Sequence, residues 1–231
     1  MYQTSLCAGE IAKMPATPPR TASIAHPGAG DRLIAPSAAR NVDAICDLLD
    51  AVAPRDGKAL ELASGTGQHM ARFAALRPDL NWQPSDLDAA RRASIDAHAA
   101  DSGLGNIAPA IALDATTPGW GRQHAGQALI VLVNLLHLIA DDAAQVLIQE
   151  AAAALTAGGR LVIYGPFMRG GELTSPGDVA FHQSLCTQDP KVGYKDDFDV
   201  MDMMQDAGLE MVEIIEMPAN NLALVAQNPA I

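Results

Sequence analysis

The sequence predicts an α/β fold: a doubly wound, mostly parallel sheet with helices on both faces. Three observations carry that expectation. Short apolar runs alternate with stretches of helical spacing from about residue 41 to residue 167, the pattern of repeated β-α units. One of these runs, "QALIVLVNLLHL" (127–138), is apolar almost throughout, as a central parallel strand covered on both faces must be. A glycine-bearing turn, "ASGTGQH" (63–69), joins the first strand to the next helix, at the crevice where open sheets of this kind bind ligands.

The elements follow in order. Residues 1–30 carry Pro, Gly, Ala and Thr without clear periodicity and read as an irregular lead-in, leaving residues 31–231 as the folded domain. Val42, Ile45, Leu48, Leu49 and Val52 have helical spacing, and Pro54 stops that helix. "KALELAS" (58–64) is a short buried strand, and Gln68 to Leu76 is a helix ended by "RPD". "LNWQPSD" (80–86) is the second strand, and "DAARRASIDAHAADSG" (88–103) is a helix closed by Gly103. "IAPAIALD" (107–114) holds a third strand that ends at Asp114. After the central strand, "DDAAQVLIQEAAAALTAGG" (141–159) is a helix with Gly158 and Gly159 past its end, and "RLVIYGPF" (160–167) is the fifth strand. Residues 168–198, rich in Gly, Asp, Pro and Lys, read as a loop that serves as a substrate lid. "FDVMDMMQDAGLE" (198–210) is a helix, and "MVEIIEMP" (211–218) with "NLALVAQ" (221–227) forms a hairpin at an antiparallel edge.

A length of 231 residues suits one domain with a sizeable core. Lys and Arg number 15 against 27 Asp and Glu, a formal charge of −12, which argues against a nucleic-acid partner. Cys7, Cys46 and Cys186 are scattered and read as reduced thiols, and no His/Cys cluster suggests a metal. No apolar run reaches the roughly 18 residues of a membrane span. The opening "MYQTSLCAGEIAKMPATPPRTA" lacks the apolar centre of a signal peptide. These features predict a cytoplasmic protein, monomeric or homodimeric, with a small-molecule partner.

The glycine turn narrows the ligand. A phosphate-binding P-loop needs Gly-Lys-Ser/Thr, whereas Gln68 and His69 follow Gly67. A dinucleotide fingerprint starting at Gly65 needs a small residue where Met70 stands. The pattern that remains is acid-x-small-x-Gly-x-Gly: Glu61, Ala63, Gly65 and Gly67, with Ser64 inside it. It resembles the first motif of class I S-adenosylmethionine-dependent methyltransferases, with Ala63 in place of the usual first glycine. Asp86 closes the second strand, where a carboxylate can accept from both ribose hydroxyls. Asp114 closes the third, where such enzymes commonly hold the adenine amino group. Glu61 is expected to orient the turn or meet the methionine ammonium group, and Asp88 to cap the next helix.

The likeness extends beyond that motif. "APSAARN" (35–41), "ELASGTGQH" (61–69), "WQPSD" (82–86), "NLLH" (134–137), "YGPF" (164–167) and "MPANNL" (217–222) occur in order. Together they are similar to the domain-of-unknown-function family 938, the methyltransferase-like protein 26 group, from about residue 31 to 228. The resemblance implies a seven-stranded class I methyltransferase fold with strand order 3-2-1-4-5-7-6, and S-adenosylmethionine as cofactor. It also implies an Asn near Asp178, an Asp at His182 and a Trp before Gly193, none of which this chain has.

Methyl transfer from a sulfonium is an in-line displacement, so the acceptor is expected over the ends of strands four and five. There His137 is the candidate base, Tyr164 a candidate acceptor contact and Asn134 a positioning residue. His69 opens the helix after the glycines and is a cofactor contact or a helix-start residue. Arg40, with Asn41, is the candidate cation for the methionine carboxylate. Asn220 and Asn221 lie in the hairpin turn and are candidate walls of the acceptor site. Arg91 and Arg92 read as a solvated helix face. The function expected is methyl transfer to a small molecule. A non-catalytic binder of the cofactor, a peptide methyltransferase and an NAD-dependent enzyme stand as alternatives.

Overall fold

The computed structural model describes residues 25–230. Cys7 and the first twenty-four residues of the lead-in lie outside them. The rest of the lead-in is not irregular: β1 (His26–Pro27) pairs antiparallel with β2 (Leu33–Ile34) in a small hairpin arm. Helix α1 (Pro36–Val52) follows, with proline at its start, where the missing N–H costs nothing. Next come β3 (Gly57–Leu62), α2 (Gln68–Leu76), β4 (Leu80–Pro84) and α3 (Ala89–Ser102). Asp88 caps α3 by accepting from Arg91 N–H, and Gly103 ends it in the left-handed conformation. A short α4 (Trp120–Gln123) leads to β5 (Gln127–Val133). Helix α5 (Asp141–Ala154) runs directly into β6 (Leu155–Met168). It ends sooner than its sequence suggests, because Leu155 already pairs with Gln127.

The order across the main sheet is β4-β3-β5-β6-β9-β8, with β9 (Asn221–Gln227) and β8 (Glu210–Met217) forming the antiparallel edge. This is the expected order, except that the third strand is reduced to two parallel bridges, Trp82 to Ile107 and Ser85 to Ile111. Pro109 stands between them without an N–H, and Ala110 N–H turns away to Asp96 at 2.7 Å, so no ladder can run through.

Period-two alternation fills both faces of the sheet. On β5, Ile130 and Leu132 enter one core with α5, while Leu129 and Val131 enter the other with α1 and α2. Helix α7 (Asp197–Asp206) adds Val200 and Met204 to the first core. The expected loop at 168–198 instead contains a helix, α6 (Pro176–Gln188), and a two-residue strand, β7 (Lys195–Asp196), beside the end of β6. Among the described residues, no helix is long and apolar enough to cross a membrane.

Candidate cofactor site

The parallel strands β3, β4 and β5 end on one side of the sheet, and a cleft opens there. Its walls are the glycine turn after β3, the start of α1, and the segment after β5, with Glu61 at its base. The turn is held from below: Ser64 N–H donates to Ser85 O at 2.8 Å, Ser85 N–H to Glu61 O at 3.0 Å, and Ser85 Oγ to the same carbonyl at 2.8 Å. Three of its corners are left-handed: Ala63 at φ 50°, Gly65 at 60° and Gly67 at 85°. Ala63 therefore adopts the conformation that a first glycine would provide, at a modest steric cost. A Cβ at Gly65 would meet nothing closer than Ala63 O at 3.9 Å, so its backbone is open to a ligand. A Cβ at Gly67 would lie 2.6 Å from the Ile95 Cα, so glycine here lets α3 press against the turn.

Glu61 is 1% exposed, and its Oε2 has no hydrogen-bond partner among the described residues. Burial, helped by the Asp86 charge and opposed by the Ser64 bond, pushes its carboxyl up to about 8. Asp86, also buried, accepts Gly65 N–H on Oδ2 at 3.0 Å and Asp88 N–H on Oδ1 at 2.9 Å. Burial raises its carboxyl too, against these bonds and the Arg91 charge. Arg91 lines the cleft 3.9 Å from Asp86, so it is not the solvated side chain its sequence suggests.

His69 lines the cleft, with Nε2 2.8 Å from Asn41 Oδ1 and its ring stacked on Phe73. Burial lowers its pKa to about 4, so it is neutral at neutral pH. Burial raises the pKa of the Tyr164 hydroxyl, and Asn41 opposes that rise. Asn134 lines the opposite wall in the left-handed conformation, φ 55°, with its N–H on Tyr164 O at 2.8 Å.

Other expected residues do not line the cleft. Arg40 is exposed on α1, one step around the helix from the inward-facing Asn41; the cation at the cleft is Arg91. Tyr164 is 1% exposed in the core shared with α1 and α2, because period two turns it inward there. His137 sits in a 3-10 turn behind the cleft, its ring against Phe181 and Tyr194 at 5.8 and 6.2 Å. Burial, with the Lys195 charge, lowers its pKa to about 3. Asp114 is folded into a turn, with Oδ1 accepting from Thr116 N–H at 2.9 Å and Thr116 Oγ1 at 2.6 Å.

Asn220 and Asn221 do not line the cleft, and Asn220 joins a separate side-chain cluster around Asp178. Asp178, buried near the start of α6, accepts from Ser175 Oγ (2.6 Å), Thr174 Oγ1 (3.0 Å), Asn220 Nδ2 (3.1 Å) and Tyr194 Oη (3.1 Å). Burial raises its carboxyl, but the four donors together hold it below the ordinary value. Arg169 Nη2 grips the same hairpin tip through the Asn220 and Asn221 carbonyls and Glu216, while Asn221 Nδ2 donates to Pro218 O at 2.9 Å. Sequence reasoning missed Asp178 as a hub, Arg91 at the cleft, and Gln68 and Ser94 bonded to the turn residue Thr66. "TSPGD" carried a signal for the first: Ser at an N-cap, Pro at N1 and Asp at N3 mark a helix start.

The glycine turn, the acid beneath it and the sheet order define a class I methyltransferase fold. Solved structures share it. The chain superposes on an O-methyltransferase family protein from Burkholderia thailandensis with a TM-score of 0.71 and 20% identity, covering 84% of this chain and 57% of that one. Human N-acetylserotonin methyltransferase in complex with SAM gives 0.69 at 14% identity, over 84% and 53%. An O-methyltransferase family 2 protein from Planctomyces limnophilus DSM 3776, in complex with apigenin, gives 0.67 at 18% identity, over 83% and 59%. The chain thus spans somewhat over half the length of these proteins. More particularly, residues 32–228 match the family described as a protein of unknown function, DUF938, and the chain belongs to it.

Proposed function

We propose that the protein is an S-adenosylmethionine-dependent methyltransferase acting on a small molecule. The observation that carries this reading is the unpartnered Oε2 of Glu61 beneath an open glycine turn. A buried acceptor without a donor is costly, and an ammonium group supplies what it lacks. Glu61 would hold the methionine ammonium, the Gly65 backbone would lie along the cofactor, and Asp86 would take the ribose hydroxyls. Arg91 is the fitting partner for the carboxylate. When bound, the cofactor supplies a methyl group activated on a sulfonium. The protein's own part is to exclude water and align the acceptor.

His137 and Tyr164 are buried off the cleft, and His69, the imidazole that lines it, is held by Asn41. This arrangement favours acceptors that arrive with a free lone pair over those needing a strong base. The same observation supports a second reading, a protein that holds the cofactor without turnover. Calorimetric titration with S-adenosylmethionine, S-adenosylhomocysteine and NAD tests both. Micromolar binding of the adenosyl ligands alone supports the assignment, and methyl loss with a small acceptor then separates enzyme from binder. Binding of NAD alone overturns both readings.

A further inference from the structure

Two side chains near the cleft do an unusual double duty. Ser94, fully buried on α3, accepts Leu33 N–H at 2.7 Å and donates to Thr66 O at 2.7 Å. Gln68 Oε1, at the start of α2, accepts Ala35 N–H at 2.6 Å and Thr66 Oγ1 at 3.0 Å. Each therefore joins the same two things: Thr66, the residue between the turn glycines, and the backbone of the N-terminal arm. His98 Nε2 on Leu33 O at 3.0 Å and an Arg32–Asp101 ion pair extend the attachment along α3. The arm feeds directly into Ala35, Ser37 and Ala38, which form one side of the cleft, while Glu61 and Ala63 to Thr66 form the other. The cleft thus lies between two segments bracketed together by Ser94 and Gln68.

The β1–β2 pairing in the arm covers only two residues on each side, so its position depends on these side-chain bonds. The need for the bracket also accounts for Gln68, where a phosphate-binding loop would have lysine. We infer that Ser94 and Gln68 are positioning residues that clamp residues 33–38 against the glycine turn, so that cofactor exchange requires the clamp to open. This rests on the proposed cofactor.

Surface plasmon resonance with S-adenosylhomocysteine as probe tests it on the parent chain, Ser94→Ala, Gln68→Ala and Gln68→Glu. Loss of one or two hydrogen bonds should raise both kon and koff about tenfold in each alanine variant, leaving Kd nearly unchanged. Gln68 Oε1 acts as an acceptor toward both partners, so Gln68→Glu should return both rates toward the parent's. Hydrogen exchange of the ligand-free proteins should quicken at Leu33 and Ala35 in the alanine variants while the β3 and β5 amides stay protected, which separates an open clamp from an unfolded protein. Unchanged rates, or a rise in koff alone, overturn the clamp and leave the cofactor assignment standing. Failure of the parent chain to bind the probe overturns the cofactor assignment, and the clamp with it.

Discussion

The glycine turn and the Asp178 cluster are built by different means. The turn is local: Glu61, Ala63, Gly65 and Gly67 fall within seven consecutive residues, and their backbone conformation does most of the shaping. The cluster around Asp178 adds two distant donors to two local ones. Asp178 draws Thr174, Ser175, Tyr194 and Asn220 onto one carboxylate, while Arg169 holds the same hairpin tip from another side. The first can be altered by moving a backbone, the second by removing a donor. It follows that the glycine turn and the Asp178 cluster can be altered almost independently.

The sharpest way to break the local region is Gly67→Ala. The added methyl meets α3 backbone at a left-handed position, so thermal or urea unfolding should show about 3 kcal/mol of lost stability. Next comes proton linkage at Glu61. Its folded carboxyl near 8 lies above the ordinary 4.5, so the folded protein keeps a proton that the unfolded chain releases. Stability from this group is therefore full below about 4.5 and falls as pH rises toward 8. An ammonium beside Glu61 favours the carboxylate, so binding should release a proton. S-adenosylhomocysteine affinity should rise about fiftyfold from pH 6 to pH 8, and calorimetry in two buffers should detect the proton. Glu61→Gln should flatten that dependence.

Asp86→Ala should weaken S-adenosylhomocysteine by about 2 kcal/mol, the loss of charge-assisted bonds to ribose. Asp178→Ala should leave that affinity unchanged, yet cost about 1–2 kcal/mol of stability by stranding its donors. Hydrogen exchange should then be faster along α6 than in β3. If Asp178→Ala weakens the cofactor as much as Asp86→Ala does, the two regions are not independent.

How much the sequence disclosed follows the same division. Strands β3, β4, β5 and β6 and helices α1, α2 and α3 could be read because periodicity, caps and terminating Pro or Gly act over a few residues. The glycine turn and the placement of Glu61 and Asp86 beside it were legible for the same reason. Helix α6 was obscured because its neighbours are rich in Gly and Asp, which hid the helix-start signal in its Ser-Pro-Gly-Asp opening. His137 and Tyr164 were misplaced because a residue type near a strand end does not say which way it faces. The direction comes from the pleat at Tyr164 and from Phe181 and Tyr194 around His137. Ser94 gave no local signal, since its partners Leu33 and Thr66 are distant in the chain.

The outermost strand bears on how the chain behaves when crowded. Among the described residues nothing pairs with the outer edge of β8, which also exposes Val212 and Ile214, a combination that invites another strand to add. It also carries Glu210, Glu213 and Glu216, and a bulge between Met211 and Glu213 breaks its regular register. A second copy aligning there would bring carboxylates together on an irregular ladder. The acidity of this edge thus guards the sheet against growing into a fibre.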